Sequence, residues 1–457
     1  MSNETTRRIF LGAATAAAAT RVWGANDRIN VAIVGLGGRG TNHLNTYSKI
    51  TTARVAALCD VNQAAREKAQ ATLLKDTSEK AKEFEDMRAV FAEPGVDAVS
   101  IATPNHWHAL ATVWACKAGK DVYCEKPACY NVHEGQVMMQ VAKDTRRMVQ
   151  IGSQHRSIPF KIKGMEALQG GIIGKVHTAK GLCYKRRVSI GHADDQPAPP
   201  PGVNWDLFLG PAPMRAFNEL RFKYNWHWFW DTGNGDIGNQ GVHEMGVARW
   251  GMGDPQWPLT AVAFGGKYGP VDDQETPNTL TAAFDFGGRE LIFEVRGLLT
   301  GGEGIPPVGR RPAAPKGAPT GAPASPAAQA PAGGSALNIM VGDLFYGTDG
   351  WMSMNDGGYQ VYKGESNELV AEEKPVRGED STRLHMENFL SAVRSRNYGD
   401  LHDGINNAFY SASLCHLANI SYRTGRKLTL EAGPKFTGDP AATKMLTRDV
   451  YRKGYEV

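Results

Sequence analysis

Residues 29–40 read INVAIVGLGGRG, and this stretch decides the fold. Its first six residues form an apolar run of strand length that is rich in β-branched side chains, and helical sequence follows from His43 onward. Three glycines between the two, Gly35, Gly37 and Gly40, have the spacing G-x-G-x-x-G. Placed between a strand and a helix, this spacing predicts the first turn of a Rossmann-type parallel sheet.

The glycines in this turn have separate roles. Gly35 permits the tight turn, Gly37 lets a pyrophosphate approach the backbone, and Gly40 allows the helix to pack closely on the strand. Gly38 and Arg39 complete the loop. The free N–H groups at the start of the helix are then expected to face the phosphates of a dinucleotide. Residues 29–150 are therefore predicted to form a dinucleotide-binding domain.

The second predicted strand, residues 54–59, ends in Asp60, which lies 25 residues after Gly35. An acidic residue at this tip accepts hydrogen bonds from the ribose hydroxyls and repels a 2′-phosphate. The position therefore favours NAD over NADP as the cofactor. Asp60 also suits a turn or a helix cap, so a structural role stays open as well.

Two further predicted strands end in polar residues, at the sheet edge where open α/β sheets bind ligands. Residues 96–101 run into Thr103-Pro104-Asn105, with His108 shortly after, and residues 121–124 run into Glu125-Lys126-Pro127. Lys126 has two interpretations. It is either a solvated lysine before a proline turn or a lysine directed at the nicotinamide end of the cofactor.

Together these stretches resemble the glucose–fructose oxidoreductase and inositol dehydrogenase (Gfo/Idh/MocA) family, from about Ile29 to the C-terminus apart from one insertion. The resemblance implies a Rossmann domain followed by an α/β domain with an open, mainly antiparallel sheet. It implies that Lys126 is catalytic, and that cofactor contacts include the loop from Thr103 to Asn105, His108 and Glu125. The family's Asp-x-x-x-His pair falls on Asn239 and His243.

Position 239 departs from the family pattern, because it is an asparagine. Asn239 can still form hydrogen bonds but offers no charge to stabilise a protonated imidazole. His243 is therefore expected to be a weaker base than its counterpart in typical members. Asp236 and Glu244 lie close in sequence and are candidates to replace the missing carboxylate in part.

The second half, residues 151–457, has the pattern of a separate sheet domain for substrate binding and oligomerisation. Short runs at 176–184, 259–267, 279–286 and 290–297 suit strands between Gly- or Pro-rich turns, and 384–393 and 408–422 have helical spacing. Residues 301–336 are low-complexity Gly/Ala/Pro sequence with eight of the 25 prolines. Strand-like sequence resumes from Ile339, so this stretch is predicted to be a surface insertion.

An aromatic stretch, residues 224–231 (YNWHWFWD), is the most unusual part of the chain. Flat aromatic faces pack against the C–H faces of sugars, while polar neighbours satisfy hydroxyls. The same rings could instead fill the domain core. The candidate substrate-binding residues are Tyr224, Trp226, His227 and Asp231, with Arg156 as a further candidate.

Composition argues against several other classes of protein. The net charge is only +4 without a dense basic block, which disfavours a nucleic-acid partner. The six cysteines and twelve histidines show no metal-ligand spacing, so no metal site is predicted. A small-molecule carbohydrate is the expected partner, and the exposed face of an open sheet is a plausible surface for a homo-oligomer.

The N-terminus has the pattern of an export signal. Two arginines, Arg7 and Arg8, precede a small apolar run, and residues 1–25 resemble a twin-arginine signal region. The run from Phe10 to Ala19 is too short to span a bilayer. We therefore expect an exported, periplasmic protein without a membrane anchor after the signal is removed.

Three functions fit these observations. The first is an NAD-dependent oxidoreductase acting on a CH–OH group of a sugar, sugar derivative or cyclitol. The second, suggested by the family resemblance, is a glycoside hydrolase that oxidises its sugar transiently and recycles the cofactor. The third is a non-catalytic sugar- or dinucleotide-binding protein, which the loss of the aspartate at 239 favours and the retention of Lys126 and His243 opposes.

Overall fold

Two β-sheets organise the protein, and a computed structural model describes residues 27–303, 340–431 and 433–457. The first sheet has six parallel strands in the order β3-β2-β1-β4-β5-β6. These strands are β1 (Ile29–Val34), β2 (Ala53–Cys59), β3 (Lys82–Phe84), β4 (Ala98–Ile101), β5 (Asp121–Cys124) and β6 (Val149–Ile151). The predicted twin-arginine region, and all but the first three residues of the predicted insertion, lie outside the described residues.

Five helices connect these strands in a Rossmann arrangement. They are α1 (Gly38–Tyr47), α2 (Gln63–Thr77), α3 (Met87–Ala92), α4 (Asn105–Lys117) and α5 (Val132–Thr145). Strand β1 is almost wholly buried, as expected for a parallel strand covered on both faces. Helix α1 begins at Gly38, within the glycine motif, rather than near His43 as predicted. The predicted parallel dinucleotide-binding fold is confirmed.

The second sheet has nine strands in the order β14-β13-β12-β11-β7-β10-β9-β8-β15. They are β7 (Val176–Cys183), β8 (Thr260–Gly266), β9 (Thr279–Asp285), β10 (Glu290–Arg296), β11 (Val341–Gly347), β12 (Gly350–Asn355), β13 (Gly358–Lys363), β14 (Glu368–Glu373) and β15 (Leu428–Thr429). Every described neighbouring pair is antiparallel except β7 with β10. The predicted open, mainly antiparallel sheet is therefore confirmed.

One face of this sheet packs on helices. The remaining helices are α6 (Pro159–Gln169), α7 (Trp205–Leu209), α8 (Gly235–Asn239), α9 (Gly241–Gly251), α10 (Ser381–Ser395), α11 (Ile405–Thr424) and α12 (Pro440–Lys444). Buried residues of β9 and β10, such as Phe284 and Phe293, share a core with Met245 of α9 and Leu417 of α11. Along β9 and β10 these buried positions alternate with more exposed ones, which leaves the opposite face of the sheet open.

The C-terminal part of the chain returns to the first domain. Met386 and Phe389 of α10 are buried in one cluster with Val31, Ile33 and Tyr123 of the parallel sheet. Helix α11 contributes to the cores of both domains. Assigning all of residues 151–457 to the second domain was therefore wrong for α10, because this helix covers the Rossmann sheet.

Two composition-based predictions concern cysteines and membrane spans. All six cysteines are buried free thiols, as small hydrophobic side chains would be. No helix in the three described ranges is both long enough and apolar enough to cross a bilayer.

The docking of α10 on the first domain predicts a stability effect that spans the chain. The Phe389 ring is fully buried, so Phe389→Ala should lower the free energy of unfolding by about 3–5 kcal/mol. Leu369→Ala is the control, since Leu369 on the edge strand β14 is 46% exposed and should change stability by about 0.5 kcal/mol. Denaturant unfolding followed by fluorescence measures both; equal losses would contradict the assignment of α10 to the Rossmann core.

Candidate active site

A cavity of about 850 Å³ lies between the two domains, at the carboxyl ends of β1, β2, β4 and β5. The first domain lines it with the glycine turn, Asp60 and Lys126, and the second domain covers it with Phe208 and Tyr224. This is the edge of a parallel sheet where ligands bind. The position agrees with the predicted cofactor site.

The glycine turn leaves bare backbone facing this cavity. Gly35 adopts a left-handed backbone with φ of +87°, which only glycine adopts without strain. A Cβ on Gly40 would lie 1.8 Å from the Gly35 carbonyl oxygen, whereas a Cβ on Gly37 or Gly38 would meet nothing within 4 Å. Gly40 therefore serves the packing of α1, and Gly37 and Gly38 leave room for a pyrophosphate at the start of that helix.

Asp60 has both of the roles that its sequence position allows. Its Oδ2 accepts a hydrogen bond from the Leu36 N–H at 2.6 Å, and its Oδ1 accepts one from the Asn62 N–H at 2.8 Å. Burial raises the pKa of this carboxyl, and the two N–H groups partly offset the effect. Each oxygen keeps a second lone pair, so Asp60 fixes the turn and can also accept from ribose hydroxyls.

The loop after β4 is tied to the loop after β5 by His108. Its Nδ1 lies 2.7 Å from the Pro127 carbonyl oxygen, and its Nε2 lies 2.9 Å from the Thr103 carbonyl oxygen. Thr103, Pro104 and Asn105 line the cavity, and the Thr103 hydroxyl is buried without a partner among the described residues. A buried hydroxyl of this kind is suited to a bound polar group, so the predicted loop fits a dinucleotide.

Glu125 is buried beside the cavity and is hydrogen-bonded to other protein side chains. Its Oε1 accepts hydrogen bonds from Arg39 at 2.7 Å, from His43 at 2.9 Å and from Gln154 at 3.2 Å. Burial acts to raise the pKa of Glu125, but Arg39 and His43 hold it well below its usual range. The carboxylate is thus taken up by protein donors, which indicates a positioning role for Glu125.

Lys126 lies at the end of β5 and is held by the second domain. Its Nζ donates to the Asn239 carbonyl oxygen at 2.8 Å and lies 3.4 Å from the Asn239 side-chain Oδ1. Burial lowers the pKa of this lysine, while Glu125 acts to raise it. Two of the three ammonium protons are engaged in this way, so one donor is left for a ligand in the cavity.

The amide of Asn239 explains why an asparagine fits at this position. Its Nδ2 donates to the Tyr224 hydroxyl at 3.0 Å and to the Asp236 Oδ1 at 3.4 Å. Asp236 is paired with Arg187, whose two nitrogens approach it at 2.5 and 2.8 Å. An aspartate at 239 would set a second carboxylate against Asp236. Asp236, one of the two candidates that the sequence offered, therefore lies beside the Asn239 amide, but Arg187 takes up its charge.

His243 follows on α9, partly exposed, beside a second histidine. Its ring centroid lies 5.0 Å from that of His155, and its Nδ1 is buried without a partner among the described residues. Burial lowers the pKa of His243 well below its usual value, and the charge of Lys126 lowers it further. His243 is therefore neutral at physiological pH and free to accept a proton.

The aromatic stretch divides between the cavity and the core. Tyr224, Trp226 and His227 line the cavity, and the Trp226 and His227 rings stack with centroids 3.5 Å apart. Trp228 and Phe229 are buried. The stretch therefore places some of its rings at the cavity and others in the core, and sugar binding by the first group stays a prediction.

Two predicted substrate residues lie elsewhere. Asp231 is absent from the cavity wall and pairs with Arg215. Arg156 is buried and bonded to Asp254, with nitrogen–oxygen distances of 2.6 and 3.0 Å. The substrate roles predicted for Asp231 and Arg156 are therefore wrong for this structure, because protein partners occupy both side chains away from the cavity.

Sequence reasoning also missed neighbours of the site. Gln240 lines the cavity and receives a hydrogen bond from Lys185 at 3.0 Å. His155, beside His243, follows the carboxyl end of β6. His155 follows β6 as Thr103 follows β4 and Lys126 follows β5, so the sequence signal that indicates it is its place after a parallel strand.

Comparison with known proteins places the chain in a family. Residues 29–153 match the model described as oxidoreductase family, NAD-binding Rossmann fold. Residues 161–261 match the model of the same family's C-terminal alpha/beta domain. The chain belongs to this oxidoreductase family. The N-terminal domain is accordingly its NAD-binding domain.

Curated relatives match mainly over part of their length. A levoglucosan dehydrogenase of Pseudarthrobacter phenanthrenivorans is 31% identical over 96 residues, covering 21% of this chain and 25% of that protein. Inositol 2-dehydrogenase 1 of Saccharopolyspora erythraea is 37% identical over 155 residues, covering 32% of this chain and 43% of that protein. The matched part thus spans a quarter to less than half of the length of these two relatives.

Solved structures share the fold over a longer stretch. A levoglucosan dehydrogenase in complex with NADH and levoglucosan aligns with a TM-score of 0.62 at 16% identity, covering 88% of this chain and 99% of that chain. The aldose–aldose oxidoreductase of Caulobacter crescentus aligns with a TM-score of 0.61 at 16% identity, covering 88% and 100%. At this identity the likeness establishes the two-domain fold.

Two glycines of the turn, Gly37 and Gly40, should respond differently to the same substitution. Gly37→Ala places a methyl group in the cavity, so it should weaken NAD binding at least about tenfold without lowering the melting temperature. Gly40→Ala forces the methyl group onto the Gly35 carbonyl and should cost about 1–3 kcal/mol of stability. Calorimetric titration and thermal unfolding measure the two effects. Identical behaviour of both variants would contradict the assigned roles.

Proposed function

We propose that the protein is an NAD-dependent oxidoreductase that acts on the CH–OH group of a sugar, sugar derivative or cyclitol. The observation that carries the proposal is Lys126, whose ammonium lies 2.8 Å from the Asn239 carbonyl oxygen and lines the cavity together with the glycine turn. Its charge also acts on the neutral His243. The family relatives named for levoglucosan and inositol support this substrate class.

The chain supplies an acid–base pair for this chemistry. NAD, when bound on the glycine turn, provides the hydride acceptor. His243 accepts the proton of the substrate hydroxyl, because its pKa lies well below its usual value and the ring is therefore neutral. Lys126 donates its remaining hydrogen bond to the same oxygen and stabilises the negative charge that develops there.

The wall opposite the glycine turn suits a polyhydroxylated ring. Tyr224, Trp226 and His227 line it, and Asn239 and Gln240 add amide groups. Aromatic faces pack against the C–H faces of a sugar, and the amides satisfy its hydroxyls. Retention of these groups together with Lys126 and His243 favours an enzyme over a non-catalytic binding protein.

A second candidate is a glycoside hydrolase that recycles its NAD. The observation that favours it is a segment, residues 202–209, that covers the cofactor cavity and is bonded to the first domain. The Gly202 carbonyl accepts from the Gln63 N–H at 2.8 Å, the Asn204 N–H donates to Val61, and the Phe208 carbonyl accepts from Trp107 Nε1 at 3.0 Å. Such closure favours a cofactor that stays bound through many turnovers.

We further propose export by the twin-arginine pathway to the periplasm and assembly into a homo-oligomer. Residues 1–25 support the export. The open face of the second sheet supports the assembly, since Phe264 on β8 is 67% exposed there. A retained cofactor is compatible with export, because this pathway carries folded proteins.

The proposed acid–base pair predicts a loss of turnover without a loss of cofactor. Lys126→Ala should reduce the rate of NADH formation with cyclitols and sugars by at least about 100-fold, because the oxyanion loses its donor. NAD binding should persist, since Asp60 and the glycine turn are untouched. Absorbance at the NADH band measures turnover, with Lys163→Ala on the surface as the control. Full activity of Lys126→Ala would refute the mechanism.

The nucleotide content of the purified protein separates the two candidate functions. If residues 202–209 retain NAD, denaturing the protein should release one nucleotide per chain, and sugar substrates should yield no free NADH. Such a result supports the recycling glycoside hydrolase. An empty protein that binds added NAD reversibly and reduces it with a polyol supports the dehydrogenase. Chromatography of the released nucleotide measures the outcome.

A further inference from the structure

His243 has neighbours that the proposed reaction does not use. The His155 ring lies 5.0 Å from the His243 ring, tilted by 40°. On its other side, His155 Nε2 lies 3.5 Å from Asp356 Oδ1, in the turn between β12 and β13. The same oxygen accepts from the buried Lys161 at 2.9 Å. The His155 imidazole therefore lies between the His243 imidazole and the Asp356 carboxylate.

Other carboxylates around His243 are occupied or uncharged. Glu125 is taken up by Arg39 and His43, and Asp236 is paired with Arg187. Burial raises the pKa of Glu244, next to His243 in the chain, to about 8, so this side chain carries a proton at neutral pH.

Asp356 differs from these groups in exposure and in charge. Its side chain is 78% exposed, whereas Glu125 and Asp236 are both buried. The positive charge of Lys161, together with His155, lowers the pKa of Asp356 to about 2. Among these neighbouring carboxylates, Asp356 is therefore the one that is both negatively charged and exposed to solvent.

Both imidazoles carry an unused hydrogen-bonding position. The Nδ1 atoms of His155 and His243 are each buried without a partner among the described residues. Buried polar atoms are normally paired, and unpaired ones often mark a functional role. Burial lowers the pKa of His155 to about 3, and it also lowers that of His243 well below its usual value. Both rings are therefore neutral at physiological pH, so each can take up a proton in turn.

We propose that His155 and Asp356 form a proton relay that carries the substrate's hydroxyl proton from His243 to solvent. The inference rests on the proposed function, which releases this proton in every oxidation. The substrate O–H bond breaks and an N–H bond forms on His243, while the hydride of the adjacent C–H bond goes to NAD. The proton then moves from His243 to His155, from His155 to the Asp356 carboxylate, and from there to water.

The relay also accounts for position 239. An asparagine cannot take up a proton, and its amide is engaged by Tyr224 and Asp236. The proton therefore needs an acceptor on another side of His243. His155, in the short helical turn after β6, and Asp356, in the β12–β13 turn, provide such acceptors from two different parts of the chain.

His155→Gln tests the relay and leaves the Lys161–Asp356 ion pair intact. Rapid mixing with NAD and a polyol should show a first turnover within about twofold of wild type, because His243 still accepts one proton. Steady-state turnover should fall about 100-fold, since the proton leaves slowly. Added imidazole buffer should raise the steady-state turnover of this variant at least about tenfold. His177→Gln, an exposed histidine on β7, is the matched control and should behave as wild type.

Two results would overturn the relay. One is unchanged steady-state turnover in His155→Gln. The other is an equal loss of first and later turnovers that imidazole does not restore, which is the signature of a purely structural role. Asp356→Asn should reproduce the slow, buffer-restored turnover. A wild-type level of turnover in folded Asp356→Asn would also contradict the proposal.

A second measurement does not depend on turnover. Solvent exchange of the His243 ring N–H, followed by ¹⁵N NMR without substrate, should slow at least about tenfold in His155→Gln. Unchanged exchange would overturn the relay whatever the substrate is. If wild type reduces no NAD with any polyol but the exchange slows, the proposed function fails and the proton route stands.

Discussion

The carboxylate of Glu125 is the interaction on which the geometry of the site depends. One buried oxygen accepts from Arg39 in the glycine turn, from His43 in α1 and from Gln154 after β6, and the next residue in the chain is Lys126. The glycine turn and Lys126 are thus fixed to a common point. Removing this buried carboxylate would leave all three donors without their common acceptor, so these elements are held together as a unit.

Local patterns determined much of the fold in advance. The glycine turn, the strand before it and Asp60 depend on residues close in sequence, and the alternation in β9 and β10 indicates which face is buried. The docking of α10 on the Rossmann sheet was beyond this reasoning. An amphipathic helix shows that it has a buried face but not which of two sheets covers that face.

The sequence predicted the site residues that follow parallel strands, but not those whose partners come from distant parts of the chain. Lys126 and Thr103 follow parallel strands, so their position at the cavity follows from the topology. Asp231 and Arg156 could not be judged from sequence, because their partners Arg215 and Asp254 are set by tertiary contacts. The same holds for Asn239, whose amide makes sense only beside Asp236.

The return of α10 to the first domain also sets the order in which the protein is completed during synthesis. The Rossmann core lacks Met386 and Phe389 until the ribosome has made nearly the whole chain. A nascent or truncated chain that ends before this helix exposes the apolar face of its first sheet. The core beneath the dinucleotide site is therefore completed late, although the sequence signature of the site is made first.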